Sequence, residues 1–250
     1  MINYPSITGQ VILHEVNGNQ KCLIFSVYGD GGRNDEELSR HQLVMDAQEK
    51  VFTKFNLPIN RFYHNFNQSG MGPKITDIVR YFSNYVDYFI ILDIDICPLK
   101  ASFVEEIIDK IKDGKTLFGG AQQSNHIVVN NSKQHMYASL SFMGISSELY
   151  RRLGEISFNY NERGDVAEEL TWKVEELGYN LCLSFPSSFC ELSDEEMLVS
   201  GMPKHWDLGN GLKFGLGTTY GDMVFHATMQ SLPRSTDIFI QKCQEILNNK

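Results

Sequence analysis

Two aspartates separated by one residue follow a short apolar run. Asp93 and Asp95 come directly after Tyr88–Leu92, a run of aromatic, β-branched and aliphatic residues, and Pro98 stands shortly beyond them. Such a short run predicts a buried strand rather than a helix, and residues two apart on a regular strand point to the same side. Two converging carboxylates at the end of a buried strand suit a hard divalent cation such as Mg²⁺ or Mn²⁺. The alternative is an acidic strand end that only caps the next helix.

Composition narrows the class of partner. The 250 residues carry a formal net charge of −9, which disfavours nucleic acid because phosphate backbones are bound by basic faces. An acidic protein that handles phosphates needs a metal or a few local cations to offset the repulsion. The five cysteines are scattered and form no CxxC pair, so neither a zinc ribbon nor a disulfide framework is expected.

The sequence predicts a single domain in a reducing compartment. No linker rich in Ser, Gly or Pro divides the chain. Residues 1–20 lack the apolar core of a signal peptide, and no run of about 18 apolar residues could span a bilayer. We therefore expect a soluble, cytoplasmic protein without a membrane anchor.

Strand and helix patterns alternate along the chain. Residues 21–29 form the first predicted strand, and Asn34 with Glu37 predicts a capping box that opens a helix to about Phe55. Later helices are predicted from Pro73 and over 165–177. Between them, a strand broken by two glycines is predicted over 117–122 and a polar loop over 123–134. Alternation of this kind specifies an α/β sheet with right-handed crossovers, which binds ligands at the carboxyl ends of its strands.

Further polar residues are candidates for the same site, each with an alternative explanation. Lys74, in the first turn of a predicted helix, is either structural or a phosphate contact. His226 follows two apolar residues and is either a core histidine or a third metal ligand. The helix over 165–177 has a polar face that is either simply solvated or catalytic. Its candidate carboxylates are Asp165, Glu168 and Glu169.

The last third of the chain is rich in glycine. Five glycines lie between Gly209 and Gly221, which predicts a mobile loop. We expect the segment from about Ser193 to Tyr220 to act as a lid that excludes water from a reactive ligand.

The order of these parts resembles a known superfamily. A DxD motif about seventy residues after the first strand is followed by a glycine-broken strand, an acidic helix and a late histidine. This order resembles the GT-A fold glycosyltransferases over roughly residues 21–228. The resemblance implies one domain over 1–250 with a Rossmann-like, mostly parallel central sheet flanked by helices. It implies a nucleotide-binding part over about 21–100, an acceptor and catalytic part over about 101–228, and a C-terminal helix over 234–248.

The resemblance also implies how a nucleoside-diphosphate sugar donor is bound. Asp93 and Asp95 would hold Mn²⁺ or Mg²⁺ on the diphosphate, with His226 as the late ligand. The end of the first strand would meet the base and ribose of the donor. The residues expected there are Val27, Tyr28 and Asp30.

Glu168 lies where inverting members carry the catalytic base, with Asp165 and Glu169 nearby. The usual inverting pattern places an aspartate where this sequence has Ala167, so Glu168 or Asp165 must substitute, or the enzyme is retaining. Inversion is the favoured outcome. The acceptor would be a glycan, a lipid-linked sugar or a small molecule.

Two other functions are compatible with the motif. Haloacid-dehalogenase-like phosphatases also place DxD after an apolar strand, but normally near the N-terminus and with Thr or Val where this chain has Cys97. Their late acidic motif would need more than Asp222 near His226. A GT-A-like domain that binds a nucleotide or glycan without transfer is the non-enzymatic alternative.

Overall fold

The computed structural model describes residues 10–66, 70–127, 134–209, 211–228 and 232–249. The chain separates into two compact units, each assembled from three segments. Unit 1 comprises Met1–Gly32, Pro58–Asp93 and Val104–Leu183. Unit 2 comprises Arg33–Leu57, Ile94–Phe103 and Ser184–Lys250.

Strands and helices alternate through both units. The strands are β1 His14–Val16, β2 Gln20–Tyr28, β3 Asn60–Tyr63, β4 Tyr88–Leu92, β5 Ile96–Pro98, β6 Thr116–Ile127, β7 Gln134–Ser146, β8 Asn180–Ser184, β9 Pro186–Cys190, β10 Trp206–Gly209, β11 Leu212–Phe214, β12 Gly217–Tyr220 and β13 Val224–Ala227. The helices are α1 Asp35–Lys54, α2 Met71–Phe82, α3 Phe103–Ile111, α4 Ser147–Arg152, α5 Glu168–Glu176, α6 Asp194–Ser200 and α7 Pro233–Asn248.

The main sheet of unit 1 has the order β1-β2-β4-β7-β6-β8, with β3 also paired to β2. Strand β2 is parallel to β3 and β4, and β7 is antiparallel to both β4 and β6. Strands β2, β3, β4 and β6 therefore run in one direction, while β1 and β7 run in the other. The predicted α/β architecture with a mostly parallel central sheet is confirmed.

Helix α2 covers this sheet through one apolar stripe. Ile75, Ile78, Val79 and Phe82 are buried in the core of unit 1, as their helical spacing predicted. The helix begins at Met71, two residues before the expected Pro73, and Gly70 is its N-cap. Removing four such side chains from water stabilises the packing by about 1.5–3 kcal/mol each.

The hairpin of β6 and β7 is longer than the sequence suggested. A strand was expected over 117–122 and a loop over 123–134, but β6 continues to Ile127 and β7 begins at Gln134. Gln122 and Gln123 pair with Tyr137 and Met136 across the hairpin. Ladder hydrogen bonds satisfy the backbone of this polar stretch, so composition alone misjudged it.

Unit 2 contains a four-stranded antiparallel sheet in the order β5-β13-β12-β9, and α1 packs against α7. The predicted capping box of Asn34 and Glu37 opens α1. At the other end of α1, the ammonium group of Lys54 donates to the carbonyl oxygen of Ile246 at 2.6 Å. This lysine thereby binds the free carbonyl groups and the negative dipole end of α7.

The glycine-rich stretch is not the loop that was expected. Strand β12 lies within it and pairs with β9 on one side and β13 on the other. A Cβ atom at Gly217 would lie 2.8 Å from the ring of Phe225, and one at Gly215 would lie 2.1 Å from the carbonyl oxygen of Cys190. These two glycines permit close packing rather than motion. Lid movement of 193–220 stays a prediction; among the described residues of this segment, α6, β10 and β11 are the elements outside the four-stranded sheet.

Helix α5 starts later than predicted. It begins at Glu168, and its N-cap Ala167 has a left-handed φ of 67° and no side-chain cap. Asp165 therefore precedes the helix instead of lying in its first turn. Within the described residues, no helix combines the length and apolar character needed to cross a membrane.

Candidate active site

The two aspartates of the DxD motif lie on the turn between β4 and β5, not on a regular strand. The amide of Asp93 donates to the carbonyl oxygen of Ser141 at 2.9 Å, which fixes the start of the turn. The amide of Ala227 donates to the carbonyl oxygen of Asp95 at 3.0 Å. Backbone hydrogen bonds therefore hold the turn at Asp93 and at Asp95.

Strand pairing brings a histidine to this turn. Ile96 on β5 pairs with His226 on β13, so Asp95 and His226 become neighbours within unit 2. Nε2 of His226 lies 3.6 Å from Oδ1 of Asp95. Asp93 is only two residues away along the chain, and one ligand atom from each of the three side chains lies within 4.8 Å of the other two.

The donors of this group fit a divalent cation. Burial lowers the pKa of His226 to about 4, so at neutral pH its ring is uncharged and offers a lone pair. Its Nδ1 atom is buried without a hydrogen-bond partner among the described residues. Burial raises the pKa of Asp93 to about 6, because a carboxylate loses hydration there. Two carboxylates and a neutral imidazole leave two negative charges for a dication to balance.

The carboxyl ends of β2 and β3 place two tyrosines side by side in unit 1. Tyr28 pairs with Tyr63 in the parallel ladder, and their rings lie 5.7 Å apart at 71°. Tyr63 is 45% exposed, and the hydrogen bond that its hydroxyl donates to Asp30 raises its pKa. A Cβ atom at Gly29 would lie 1.9 Å from the carbonyl oxygen of His64, so only glycine permits this approach of β2 and β3.

Sequence reasoning named Val27, Tyr28 and Asp30 at this edge but missed Tyr63. Val27 is a buried member of the core, whereas Tyr28 and Asp30 are partly exposed. Tyr63 ends the short strand β3, and no local pattern encodes the parallel pairing of β3 with β2 that brings it to this edge. An exposed aromatic ring beside a carboxylate is able to stack on a base and bind a ribose hydroxyl.

Lys74 is buried in the first turn of α2. Burial lowers its pKa, although Asp77 nearby acts in the opposite direction. A phosphate contact by Lys74 stays a prediction.

Glu168, expected on a polar helix face, is fully buried. Its Oε2 atom accepts hydrogen bonds from Ser124 Oγ and the Asp165 amide, both at 2.8 Å, and Oε1 lies 2.6 Å from Nδ1 of His135. Burial alone would raise the pKa of Glu168, but these donors outweigh it and hold the pKa below its usual value. Both oxygens are thus engaged by protein groups. Ser124 fell in the predicted loop over 123–134, and neither Ser124 nor His135 was identified, because no local pattern encodes the pairing of β6 with β7.

The other two acidic candidates differ in their surroundings. Glu169 is bound by the guanidinium group of Arg163 at 2.5 and 2.9 Å and by the amide of Asn161 at 2.8 Å. Asp165 is partly exposed and accepts a hydrogen bond from the hydroxyl of Tyr137. The catalytic roles of the three carboxylates stay predictions.

Known proteins match this chain in structure but not in sequence. No protein-family model matches the sequence, and no curated protein matches it. A mutant of Drosophila β1,4-galactosyltransferase 7, solved with manganese, UDP-Gal and xylobiose, superposes with a TM-score of 0.39 at 13% identity over 64% of each chain.

Two further structures belong to the same group of matches. The catalytic domain of the Drosophila enzyme with xylobiose gives a TM-score of 0.39 at 13% identity, over 64% of this chain and 63% of that chain. A glycosyltransferase involved in glycosylation of the major capsid of PBCV-1 gives 0.38 at 11% identity, over 86% of this chain and 98% of that chain. The alignments span less than two thirds of either galactosyltransferase chain. At these identities the likeness concerns the fold.

Proposed function

We propose that this protein is a metal-dependent glycosyltransferase that moves a sugar from a nucleoside-diphosphate sugar to a hydroxyl acceptor. The observation that carries the proposal is the group formed by Asp93, Asp95 and His226, whose ligand atoms lie within 4.8 Å of one another. A dication bound there would draw negative charge from the departing diphosphate. Mn²⁺ suits the set better than Mg²⁺, because Mg²⁺ is seldom bound by imidazole nitrogen.

The donor's nucleoside is assigned to the edge where β2 and β3 end. Tyr63 offers an exposed ring for the base, with Tyr28 packed against it, and Asp30 is suited to accept from a ribose hydroxyl. Asp93 follows β4, which is parallel to β2 in the same sheet, so it lies at the same edge as Tyr28. This edge is where open α/β sheets bind ligands.

Asp165 is the candidate base that we favour for an inverting reaction. Glu168 is fully buried with both oxygens engaged, and Glu169 is held by Arg163. Asp165 retains exposure, and a base must come within hydrogen-bond reach of the acceptor hydroxyl. The acceptor oxygen would bond to the anomeric carbon as the bond from that carbon to the diphosphate oxygen breaks, and Asp165 would take the acceptor's proton. A glycan, a lipid-linked sugar or a small molecule could supply the hydroxyl.

One observation disfavours the phosphatase alternative. Asp222 is 82% exposed at its side chain and forms an ion pair of 2.7 Å with Lys100. It is therefore engaged at the surface instead of extending an acidic cluster beside His226.

The proposal is tested by binding and by donor hydrolysis. Thermal shifts with UDP and with GDP, each with and without Mn²⁺, should show stabilisation that needs both components, because ligands that bind only the native state raise the midpoint. Asp95→Asn should lose this shift, while Asp222→Asn, which changes an exposed aspartate of the same unit, should keep it. Hydrolysis of simple phosphate esters without hydrolysis of any nucleotide sugar would contradict the proposal.

A further inference from the structure

His135 on β7 lies along two turns of helix α5. Its Nδ1 atom is 2.6 Å from Oε1 of Glu168, and its Nε2 atom is 3.1 Å from Oε2 of Glu175. The ring also stacks on Trp172, with centroids 3.6 Å apart and planes inclined at 17°. The three helix residues are spaced four and three apart, so they share one face of α5. Only 8% of the His135 side chain is exposed.

Glu168 in turn stabilises the turn at residues 165–167 that precedes α5. The N-cap Ala167 has a left-handed φ of 67° and contributes no side-chain hydrogen bond. A non-glycine residue in that region is strained and persists only where its surroundings fix it. Glu168 provides such a constraint, because its Oε2 atom accepts from the Asp165 amide at 2.8 Å.

Two residues of strand β7 restrain Asp165, one at its backbone amide and one at its carboxylate. His135 acts on its backbone through Glu168, and Tyr137, two residues further along β7, donates its hydroxyl to the Asp165 carboxylate. A residue just before a helix that is fixed at both its amide and its carboxylate presents one orientation. We propose that His135 is the positioning residue that orients Asp165 for proton transfer. This inference rests on the proposed function and adds a residue that does not touch the substrate itself.

Loss of the His135 imidazole should act through Glu168. The buried carboxylate would keep only the donors Ser124 and the Asp165 amide, so its charged form would lose its closest partner. A neutral or reoriented Glu168 accepts less strongly from the Asp165 amide, and the strained turn at Ala167 would relax. Misplacement of a catalytic group by about 1 Å can lower turnover by roughly a hundredfold.

Two variants separate the hydrogen bonds from the packing. His135→Phe keeps a ring to stack on Trp172 and removes both ring nitrogens, whereas His135→Gln keeps one hydrogen-bonding group. In His135→Phe we expect turnover to fall by about 10- to 100-fold, while KM for the donor and the dissociation constant for UDP with Mn²⁺ change less than about twofold. His135→Gln should retain more turnover than His135→Phe. The matched control is His205→Phe, since His205 also contacts a glutamate, Glu191 at 3.2 Å, but in unit 2.

A second measurement needs no substrate. Amide hydrogen exchange at Asp165 should be faster in His135→Phe than in the wild type, and unchanged in His205→Phe. The double variant His135→Phe with Glu168→Gln should lose no more turnover than the worse single variant, because the two residues act in one chain of contacts. Additive losses, or His135→Phe with wild-type turnover and wild-type exchange at Asp165, would overturn the inference. A wild-type protein that neither binds UDP with Mn²⁺ nor cleaves any nucleotide sugar would instead refute the proposed function, and exchange at Asp165 would still test the anchoring.

Discussion

Nε2 of His226 lies 3.6 Å from Oδ1 of Asp95, although the two residues come from distant parts of the sequence. The pairing of β5 with β13 creates this proximity, since Ile96 is the ladder partner of His226. The separation is slightly too long for a good hydrogen bond and short enough for both atoms to bind one ion.

Removing a ligand should therefore weaken metal binding more than it weakens the fold. Asp95→Asn and His226→Gln should each lower the affinity for Mn²⁺ by at least about 10- to 100-fold, the range that loss of mere supporting contacts can produce. Titration calorimetry with MnCl₂, alone and with UDP present, measures the effect. If His226→Gln binds Mn²⁺ normally but melts at a lower temperature, His226 is a core histidine and not a ligand.

Amide substitutions at Asp165 and at Glu168 should have different effects on turnover and on stability. Asp165→Asn should lower turnover by about 10²–10⁴-fold with donor affinity retained, because an amide cannot accept the acceptor's proton. Glu168→Gln should lower the melting temperature, since it replaces a buried carboxylate that three groups bind. It should also lower turnover, but less than Asp165→Asn does, because Glu168 only positions Asp165.

Transfer rates and donor dissociation constants, measured separately, distinguish these effects. If the Glu168→Gln variant is stable but inactive and the Asp165→Asn variant is active, then Glu168 is the catalytic base. Near-normal turnover in both the Asp165→Asn and the Glu168→Gln variants would favour a retaining mechanism.

Tyr63 should contribute to nucleotide affinity through its ring. Tyr63→Ala is expected to weaken UDP binding by about tenfold, because stacking of a base on an aromatic ring stabilises it by about 1–3 kcal/mol. Tyr63→Phe removes only the hydroxyl that binds Asp30 and should lose little. Fluorescence or calorimetric titration gives the affinities, and Tyr85→Ala, which removes another half-exposed tyrosine of unit 1, is the control. Equal affinities for all four proteins would exclude Tyr63 from the donor site.

Stability should decline on mild acidification through His41 of α1. Burial, with Arg33 and Arg40 adding to it, lowers the pKa of His41 to about 4 from an ordinary value near 6.5. Between these values the unfolded chain binds a proton that the folded chain does not, so the free energy of unfolding falls as pH falls from 6.5 to 4.

Urea denaturation at several pH values across this window should show a shallower decline for His41→Gln than for the wild type. The decline need not vanish, because the pKa of His226 is lowered in the same direction. Identical pH profiles would mean that His41 is solvated in the native state.

The elements that the sequence predicted best are those set by local chemistry. The capping box of Asn34, the apolar stripe of α2 and the buried strand before Asp93 all depend on neighbours in the chain. The residues around Glu168 could not be predicted in the same way. Helical periodicity placed Glu168 on a polar face, but it carries no information about the hairpin of β6 and β7, whose Ser124 and His135 bind that face.

The same limit applies to the glycine of β12. A high number of glycines predicts a flexible backbone, yet a Cβ atom at Gly217 would collide with the side chains of Phe225 and Ile238. Whether a glycine makes the backbone flexible or allows close packing depends on atoms of residues that are distant in sequence.

The three-segment construction of unit 2 has a consequence for the newly made chain. Helix α1 is synthesised early, but it packs against α7, the last described helix. At ribosomal speeds of about 5–20 residues per second, roughly ten to forty seconds separate the emergence of these two helices. During that interval the face of α1 that packs on α7 lacks its partner on the nascent chain. Shielding of that face while translation continues is therefore expected to govern how much protein a cell recovers in soluble form.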